Sequence, residues 1–469
     1  MNFVKSIHWD ITKRCNLRCE HCYNAEKYFE ESSDDYIEKE MGLDQCIKAV
    51  HSFYDAGFRH IHMLGGEPLA APYLYEIIKA AKELEMVVTI NSNAVLLTPE
   101  VQDMLIDLKV DQFASSLDGC TAAVNDSIRG EGTFEKVIKN MKAFNKRIKE
   151  CNSPLETVIV FCTTKKNLDD LMLLPALANE IGVDLISLTT FIESGQGKEN
   201  RDELQVDIRV VCDAIEKMIS NRLVKYEIPL QIDMRPRICE YFSHAYNANI
   251  MCNIKNSMCC AGEDAWYIEA NGDVHPCLAF QLESGKKALQ NNIFVKENIN
   301  ITETEIKDIV KSTYWKSFLS AKRSFATECI STCKDCLYLK QCQPCFFDYG
   351  SYQNPVHECE WVKEREEELG NKVLGYDLTI EDSVYFDRCQ NMLFKKEIPM
   401  LSLDSEVSIE IWNLIEEKRS IKAIFDILRQ EYEVKEEQLK LDIAKYMLAL
   451  DKKGIIDFEK EDVRYDVSN

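Results

Sequence analysis

Apolar and polar positions change period repeatedly through the N-terminal half of the chain. Short runs of strand length occur at Ile7–Ile11, His60–Leu64, Val87–Ile90, Gln112–Ser116, Thr157–Cys162 and Leu185–Thr189. Between them Leu43–Tyr54, Leu74–Leu84 and Phe134–Ile148 repeat apolar residues every three or four positions, the period of a helix with one buried face. Strand then helix, repeated six times, predicts an α/β fold with a parallel sheet closed or partly closed on itself. Such folds gather their chemistry just beyond the strand ends. Four unusual segments sit there: Cys15–Cys22, Gly65-Gly66-Glu67-Pro68, Asn91-Ser92-Asn93 and Ser116-Leu117-Asp118-Gly119.

The pattern differs at the other end. Glu360–Lys372 is charged and helix-prone and reads as a connector. Lys372–Leu378, Ser383–Asp387 and Leu393–Leu403 read as short strands. Three helices follow, Ser405–Glu417, Ser420–Tyr432 and Glu436–Lys453, with apolar stripes Ile409, Trp412, Leu414; Ile421, Ile424, Leu428; and Leu439, Ile443, Met447, Leu450. Three strands and three helices of this size predict a winged-helix-like domain. Between the two patterned regions, alternating residues flank Asn271-Gly272, a strong hairpin signal.

Bulk properties narrow the function. At 469 residues the chain is long enough for two or three domains. A net charge of −23 opposes nucleic-acid binding, which relies on Lys and Arg at phosphates, and opposes an anionic membrane surface. No run approaches the length of a membrane span, and Met1–Ser6 lacks the apolar core of a secretion signal. The 20 cysteines are clustered: three in the first motif and eleven between Cys239 and Cys359. A cytoplasmic protein using cysteines as metal ligands is the expectation. Cys46, Cys120, Cys151, Cys162, Cys212 and Cys389 lie in apolar patterns and are expected to pack in cores.

The run Cys15-Asn16-Leu17-Arg18-Cys19-Glu20-His21-Cys22-Tyr23 has the spacing C-x3-C-x2-C. Three thiolates can hold three irons of a [4Fe–4S] cube and leave the fourth iron open. A partial zinc site or three unrelated buried thiols is the alternative, but zinc wants a fourth ligand, and only His21 is near. The motif, with Tyr23 after the last cysteine, resembles the radical SAM superfamily. That resemblance implies a partial (β/α)6 TIM-type barrel in which the open iron binds S-adenosylmethionine and one-electron reduction yields a 5′-deoxyadenosyl radical. It further implies that Gly65, Gly66 and Glu67 hold the methionine amino group, and that Asn93 and Ser116 contact the ribose or carboxylate. Asp118 and Arg129 resemble positions near that cofactor; a helix cap or a surface ion pair is the other reading. Ser92-Asn93-Ala94 departs mildly from the family's Thr-Asn-Gly.

In the middle of the chain Cys260 and Cys277 bracket the hairpin, and Cys333-x2-Cys336-x5-Cys342-x2-Cys345 and Cys359 follow. This resembles the SPASM extension, which implies two auxiliary [4Fe–4S] clusters and so three in all. Carried over, Cys252, Cys260, Cys277 and Cys345 would hold one, and Cys333, Cys336, Cys342 and Cys359 the other. Cys259 fits as well as Cys260, and Cys239 and Cys329 are spare. A zinc ribbon on Cys333, Cys336, Cys342 and Cys345 is the competing reading. The family has three residues between the last two cysteines of that quartet; here Gln343 and Pro344 alone intervene.

The tail, with Ile411-Trp412-Asn413-Leu414-Ile415 and Gly454-Ile455-Ile456, resembles the peptide-binding PqqD-like domain that recurs as the recognition element for leader peptides. The expected organisation is a barrel over 1–230, a SPASM domain over 231–362 and a recognition domain over 372–460. The resemblance implies a maturase of a ribosomally made precursor peptide that joins a cysteine sulfur to a peptide carbon. Its partners would be the precursor with its leader and an external one-electron reductant such as flavodoxin or ferredoxin. The alternatives are another radical modification (a carbon–carbon crosslink, epimerisation or side-chain oxidation) and a non-enzymatic electron-transfer or scaffold protein. Leu278 stands where sulfatase maturases carry an acidic base, which disfavours that chemistry.

Overall fold

The computed structural model describes residues 5–24, 40–223, 226, 228–234, 236–246, 250–252, 259–282, 295, 297–327 and 356–457. Cys329, Cys333, Cys336, Cys342 and Cys345 lie outside the described residues. The chain divides into two compact units, one formed by residues 1–239 and 248–358, the other by 240–247 and 359–469.

The first unit is built on a ten-stranded sheet. Its six expected parallel strands are β1 (Lys5–Asp10), β2 (Phe58–Leu64), β3 (Val87–Ser92), β4 (Gln112–Ser116), β5 (Glu156–Thr163) and β6 (Leu185–Thr190). Beyond β6 the sheet continues through β7 (Leu230–Ile232) and β8 (Ile250–Cys252), both parallel. At the other edge the hairpin of β9 (Ala265–Ile268) and β10 (Val274–His275) joins β1, with β9 parallel to it and Trp9 opposite Ile268. The barrel and the start of the cysteine-rich region therefore share one sheet.

Alternation decides what each face meets. Ile7 and Trp9 are fully buried, and Trp9 meets Phe53 of the helix Leu43–Asp55 edge-on at 5.7 Å. That helix buries Cys46, Ala49, Val50 and Phe53, the three-and-four spacing of its sequence pattern. Phe113 packs likewise on Phe144 of the helix Thr133–Glu150. The residues between, His8, Asp10, His62, Asn91, Ser116 and Cys162, point to the inner face. Of the six cysteines expected in cores, Cys46 and Cys212 are buried and Cys120 and Cys162 half-buried. Cys151 and Cys389 are exposed, because one ends a helix and the other sits at the tip of a hairpin.

In the second unit Trp361 of the helix Val356–Val373 packs on Tyr241 and Phe242. The expected strand at Lys372–Leu378 is absent: its first two residues end that helix, and the strand begins at β11 (Thr379–Ile380), paired with β15 (Ile456–Asp457). The expected single strand Leu393–Leu403 is two. After β12 (Val384–Asp387), β13 (Met392–Lys395) and β14 (Ile398–Ser402) form a hairpin whose turn residues Lys396 and Glu397 have φ of 48° and 65°. Left-handed turn residues favour Gly or Asn, so Lys-Glu carries no visible turn signal. The helices Glu406–Glu416 and Ile421–Glu431 start at Ser405 and Ser420, whose hydroxyls accept backbone N–H bonds. The first buries Ile411, Trp412 and Ile415; Ile409 and Leu414, expected inside, are only half-buried.

Candidate functional site

The cysteine loop leaves β1 and is tied down at every turn. Ile11 N–H donates to Leu64 O, Gly66 N–H to Thr12 O and Glu67 N–H to Arg14 O, at 3.1, 2.9 and 2.7 Å. Gly65 and Gly66 are required by this contact: a Cβ on Gly65 would lie 2.4 Å from Thr12 O, and one on Gly66 2.3 Å from Arg14 O. What these glycines approach so closely is the cysteine loop's own backbone. Glu40 takes Lys13 N–H at 2.6 Å and the Thr12 hydroxyl at 3.0 Å.

Glu67 is 1% exposed and its carboxylate is engaged three times. Oε1 accepts from the Ser92 hydroxyl at 2.6 Å and from Leu69 N–H at 3.0 Å, and Oε2 accepts from Asn93 N–H at 2.7 Å. Burial pushes its pKa up, while these bonds pull the other way. Asn93 in turn donates from Nδ2 to Asn16 Oδ1 at 2.8 Å. Two of the expected cofactor contacts thus knit the ends of β2 and β3 to the cysteine loop. Ser116 ends β4 half-buried on the inner face.

Asp118 and Arg129 are neither a helix cap nor a surface pair. Asp118 is fully buried; its Oδ1 accepts Cys162 N–H at 2.7 Å, and Arg129 Nε lies 2.5 Å from its Oδ2. His21 Nε2 meets the same oxygen at 3.2 Å. Arg129 Nη1 is 3.9 Å from Cys19 Sγ. Burial works against the charge on Arg129, but Asp118 and the neighbouring thiols outweigh it and push its pKa up. Burial pushes the Cys19 thiol up to about 12, against the pull of Arg129, so its proton must leave when metal binds.

Among the described residues no three His, Cys, Asp or Glu side chains converge as ligands of one ion. A cube asks for a different arrangement, one thiolate on each of three irons. Cys15, Cys19 and Cys22 suit it: all are half-buried thiols, Cys22 N–H closes a turn on Cys19 O, and Cys19 feels both other sulfurs electrostatically. His21, the fourth zinc ligand that the sequence motif offers, is turned to Asp118. Its Nε2 faces the Asp118 carboxylate, which leaves Nδ1 as the ring nitrogen turned away from it. That Nδ1 is buried with no hydrogen-bond partner among the described residues, a polar atom left for an occupant.

Several supports carry no sequence signal. The loop after β6 covers the cysteine loop: Gly197 N–H donates to Cys22 O, Asn200 Nδ2 to Glu20 O, and a Cβ on Gly195 would strike Tyr23 O at 2.5 Å. Lys166 Nζ reaches Glu20 Oε2 at 2.5 Å. Ser92 and His21 stood inside quoted motifs, whereas Glu40, Gly195 and Asn200 are recognisable only from the fold.

Deeper on the inner face His60 bonds Ser6 Oγ and Thr89 Oγ1, each at 3.0 Å, and His62 bonds Asn91 Oδ1 at 3.1 Å. Burial, with the neighbouring His62 and His60, lowers His8 to about 3, and burial lowers His62 as well, so these two imidazoles are uncharged at neutral pH. Tyr267 of the hairpin donates to Asp10 across the seam between β9 and β1.

In the cysteine-rich part, Gly262 N–H bonds Pro276 O at 2.9 Å and draws the segments of Cys260 and Cys277 to one end of the hairpin. Cys259 is half-buried and Cys260 exposed. Cys252 ends β8, and Cys359, half-buried, lies in the second unit.

Family models of known proteins match three parts of the chain. The radical SAM superfamily model matches residues 9–173, that of an iron–sulfur cluster-binding (SPASM) domain residues 259–337, and that of coenzyme PQQ synthesis protein D residues 400–456. The AdoMet-dependent heme synthase of Methanosarcina barkeri is 24% identical over 59% of this chain and 77% of its own length. Mycofactocin maturase MftC of Mycolicibacterium smegmatis is 28% identical over 42% of this chain and 47% of its own. Among solved structures, Streptococcus suis SuiB bound to precursor peptide SuiA superposes with a TM-score of 0.57 at 20% identity, over 76% of this chain and 74% of that one, a likeness of fold. The first two matched domains imply [4Fe–4S] clusters and S-adenosylmethionine.

Proposed function

We propose that this radical SAM enzyme, with its SPASM and PqqD domains, matures a ribosomally made precursor peptide by joining a cysteine sulfur to a peptide carbon. The observation that carries the peptide reading is the second unit. Its sheet β12–β13–β14 has two outer strands, and Ile398 on β14 is 61% exposed. An extended leader added to such an edge gains main-chain hydrogen bonds, while alternate side chains find pockets. MftC is named a maturase and SuiB was solved with a precursor peptide, in keeping with this reading.

When bound, the cluster and S-adenosylmethionine supply a radical that removes a hydrogen atom from carbon. The chain's own residues hold and shield. Cys15, Cys19 and Cys22 would ligate the first cluster, with the turn at Gly65–Glu67 braced against them. Ser116 and the uncharged wall of His8, His62 and Asn91 would line the space where the peptide carbon sits. Cys252, Cys259 or Cys260, Cys277, Cys333, Cys336, Cys342, Cys345 and Cys359 would hold auxiliary clusters fit to accept the surplus electron. That electron sink favours an oxidative bond such as a thioether.

The test is anaerobic co-expression with a short cysteine-containing peptide encoded beside the gene, followed by mass spectrometry. Loss of two hydrogens together with one alkylatable thiol is the expected result. Loss of two hydrogens with every thiol still alkylatable would replace the thioether by a carbon–carbon crosslink. Replacing Cys15, Cys19 and Cys22 by Ala should abolish cleavage of S-adenosylmethionine; retained cleavage would overturn the enzyme assignment at this loop.

A further inference from the structure

We infer that Asp118 is a positioning residue that sets the reduction potential of the cluster held by Cys15, Cys19 and Cys22, by compensating the charge of Arg129 beside it. This rests on the reading that these cysteines hold the cluster.

His21 and Arg129 both bring nitrogens to the Asp118 carboxylate beside the cysteine loop. His21 belongs to the loop; Arg129 comes from the last turn of the helix Ala122–Arg129, is 8% exposed and points Nη1 at Cys19 Sγ. Both converge on one oxygen of Asp118. The carboxylate cannot follow them if they move, because its own backbone is clamped. Asp118 N–H donates to Asn125 Oδ1 at 3.1 Å, Asn167 Nδ2 donates to Asp118 O at 3.1 Å, and Cys162 N–H holds Oδ1. Gly119 brings the turn so close to the helix start that a Cβ there would lie 2.3 Å from Asn125 N. Asp118 is a fixed negative charge, and it lies one guanidinium away from a thiol of the cluster motif.

Charges held in a buried site act on one another far more strongly than in water. The Arg129 cation beside Cys19 favours the electron-richer state of whatever that sulfur ligates. Asp118 opposes it, and the two together present little net charge to the loop. Removing either partner alone should therefore move the potential, and in different directions. A role confined to packing has no such signature.

The experiment is a reductive titration of the anaerobically reconstituted full-length protein, followed by electron paramagnetic resonance of the reduced clusters. The signal of interest is the one absent when Cys15, Cys19 and Cys22 are replaced by Ala. Asp118→Asn, nearly isosteric, should shift that signal's midpoint to a more positive potential with iron content kept. Arg129→Gln should give no positive shift, and the double variant should fall back toward the wild-type value. An unshifted midpoint in Asp118→Asn at full iron content, or a positive shift in Arg129→Gln, would overturn the inference. If instead the triple cysteine variant loses no signal, the cluster assignment itself fails.

Discussion

The Ser92 hydroxyl donates to Glu67 Oε1 at 2.6 Å, so the end of β3 holds the turn after β2 in place. Asn93 N–H and Leu69 N–H complete a buried carboxylate site. Glu67→Ala strands these donors in a buried pocket, at a cost of roughly 1–3 kcal/mol. The variant should unfold at lower denaturant concentration and bind S-adenosylmethionine more weakly in a calorimetric titration. Wild-type stability with weakened binding would instead mark Glu67 as a ligand contact alone.

Gly66→Ala is the sharper probe of how the cysteine loop is seated. The added Cβ meets Arg14 O at 2.3 Å and Arg14 C at 2.7 Å, backbone atoms that cannot swing aside. Overpacking of this kind costs about 1–3 kcal/mol or more. Reconstituted Gly66→Ala should carry less iron than wild type, the deficit confined to the cluster of Cys15, Cys19 and Cys22. Full iron incorporation would show that the loop can retreat.

Asp126 supplies a pH-dependent anchor. It accepts from Gly132 N–H at 2.7 Å, from Phe134 N–H at 2.8 Å and from the Thr133 hydroxyl at 3.0 Å, at the start of the helix Thr133–Glu150. Desolvation is the largest single influence and pushes its pKa up, but these bonds together outweigh it and leave the carboxyl below its ordinary value. A depressed folded value means the stabilisation is present above the unfolded carboxylate range and is lost as pH falls through the folded value. Asp126→Ala should cost about 1 kcal/mol at neutral pH, in line with lost helix-start acceptors, with solvent screening at this half-buried site limiting the charged share. Urea unfolding of both proteins at neutral pH and near about pH 3 should show the gap closing in acid.

Ile398→Asp tests the recognition edge. The side chain is 61% exposed, so unfolding should change by no more than about 0.5 kcal/mol. Binding of a fluorescent leader peptide should weaken, whereas substrate-free cleavage of S-adenosylmethionine should be unchanged. Unaltered leader affinity would move the docking edge away from β14.

Much was legible because it is local. Strand and helix periods in the barrel follow from which face of each element is buried, and the six expected strands form with their ends shifted by a few residues. The cysteine spacing states its chemistry, since ligands on one short loop must act together. The tail was less legible: Lys396-Glu397 turns a hairpin without a turn residue, and a helix ran on where a strand was expected.

What the sequence determined by itself, then, was the list of chemical groups and the order of elements, both properties of short segments. Only the tertiary structure decided what those groups do. It joined the hairpin to β1 and gave the Gly65-Gly66 turn a backbone to approach. It turned Glu67 and Asn93 into braces, and it placed Asp118 between His21 and Arg129, residues far apart in the chain. The reason is physical: a buried charge or a missing Cβ is explained by whichever atoms lie a few ångströms away, and in a parallel sheet those come from loops many residues distant.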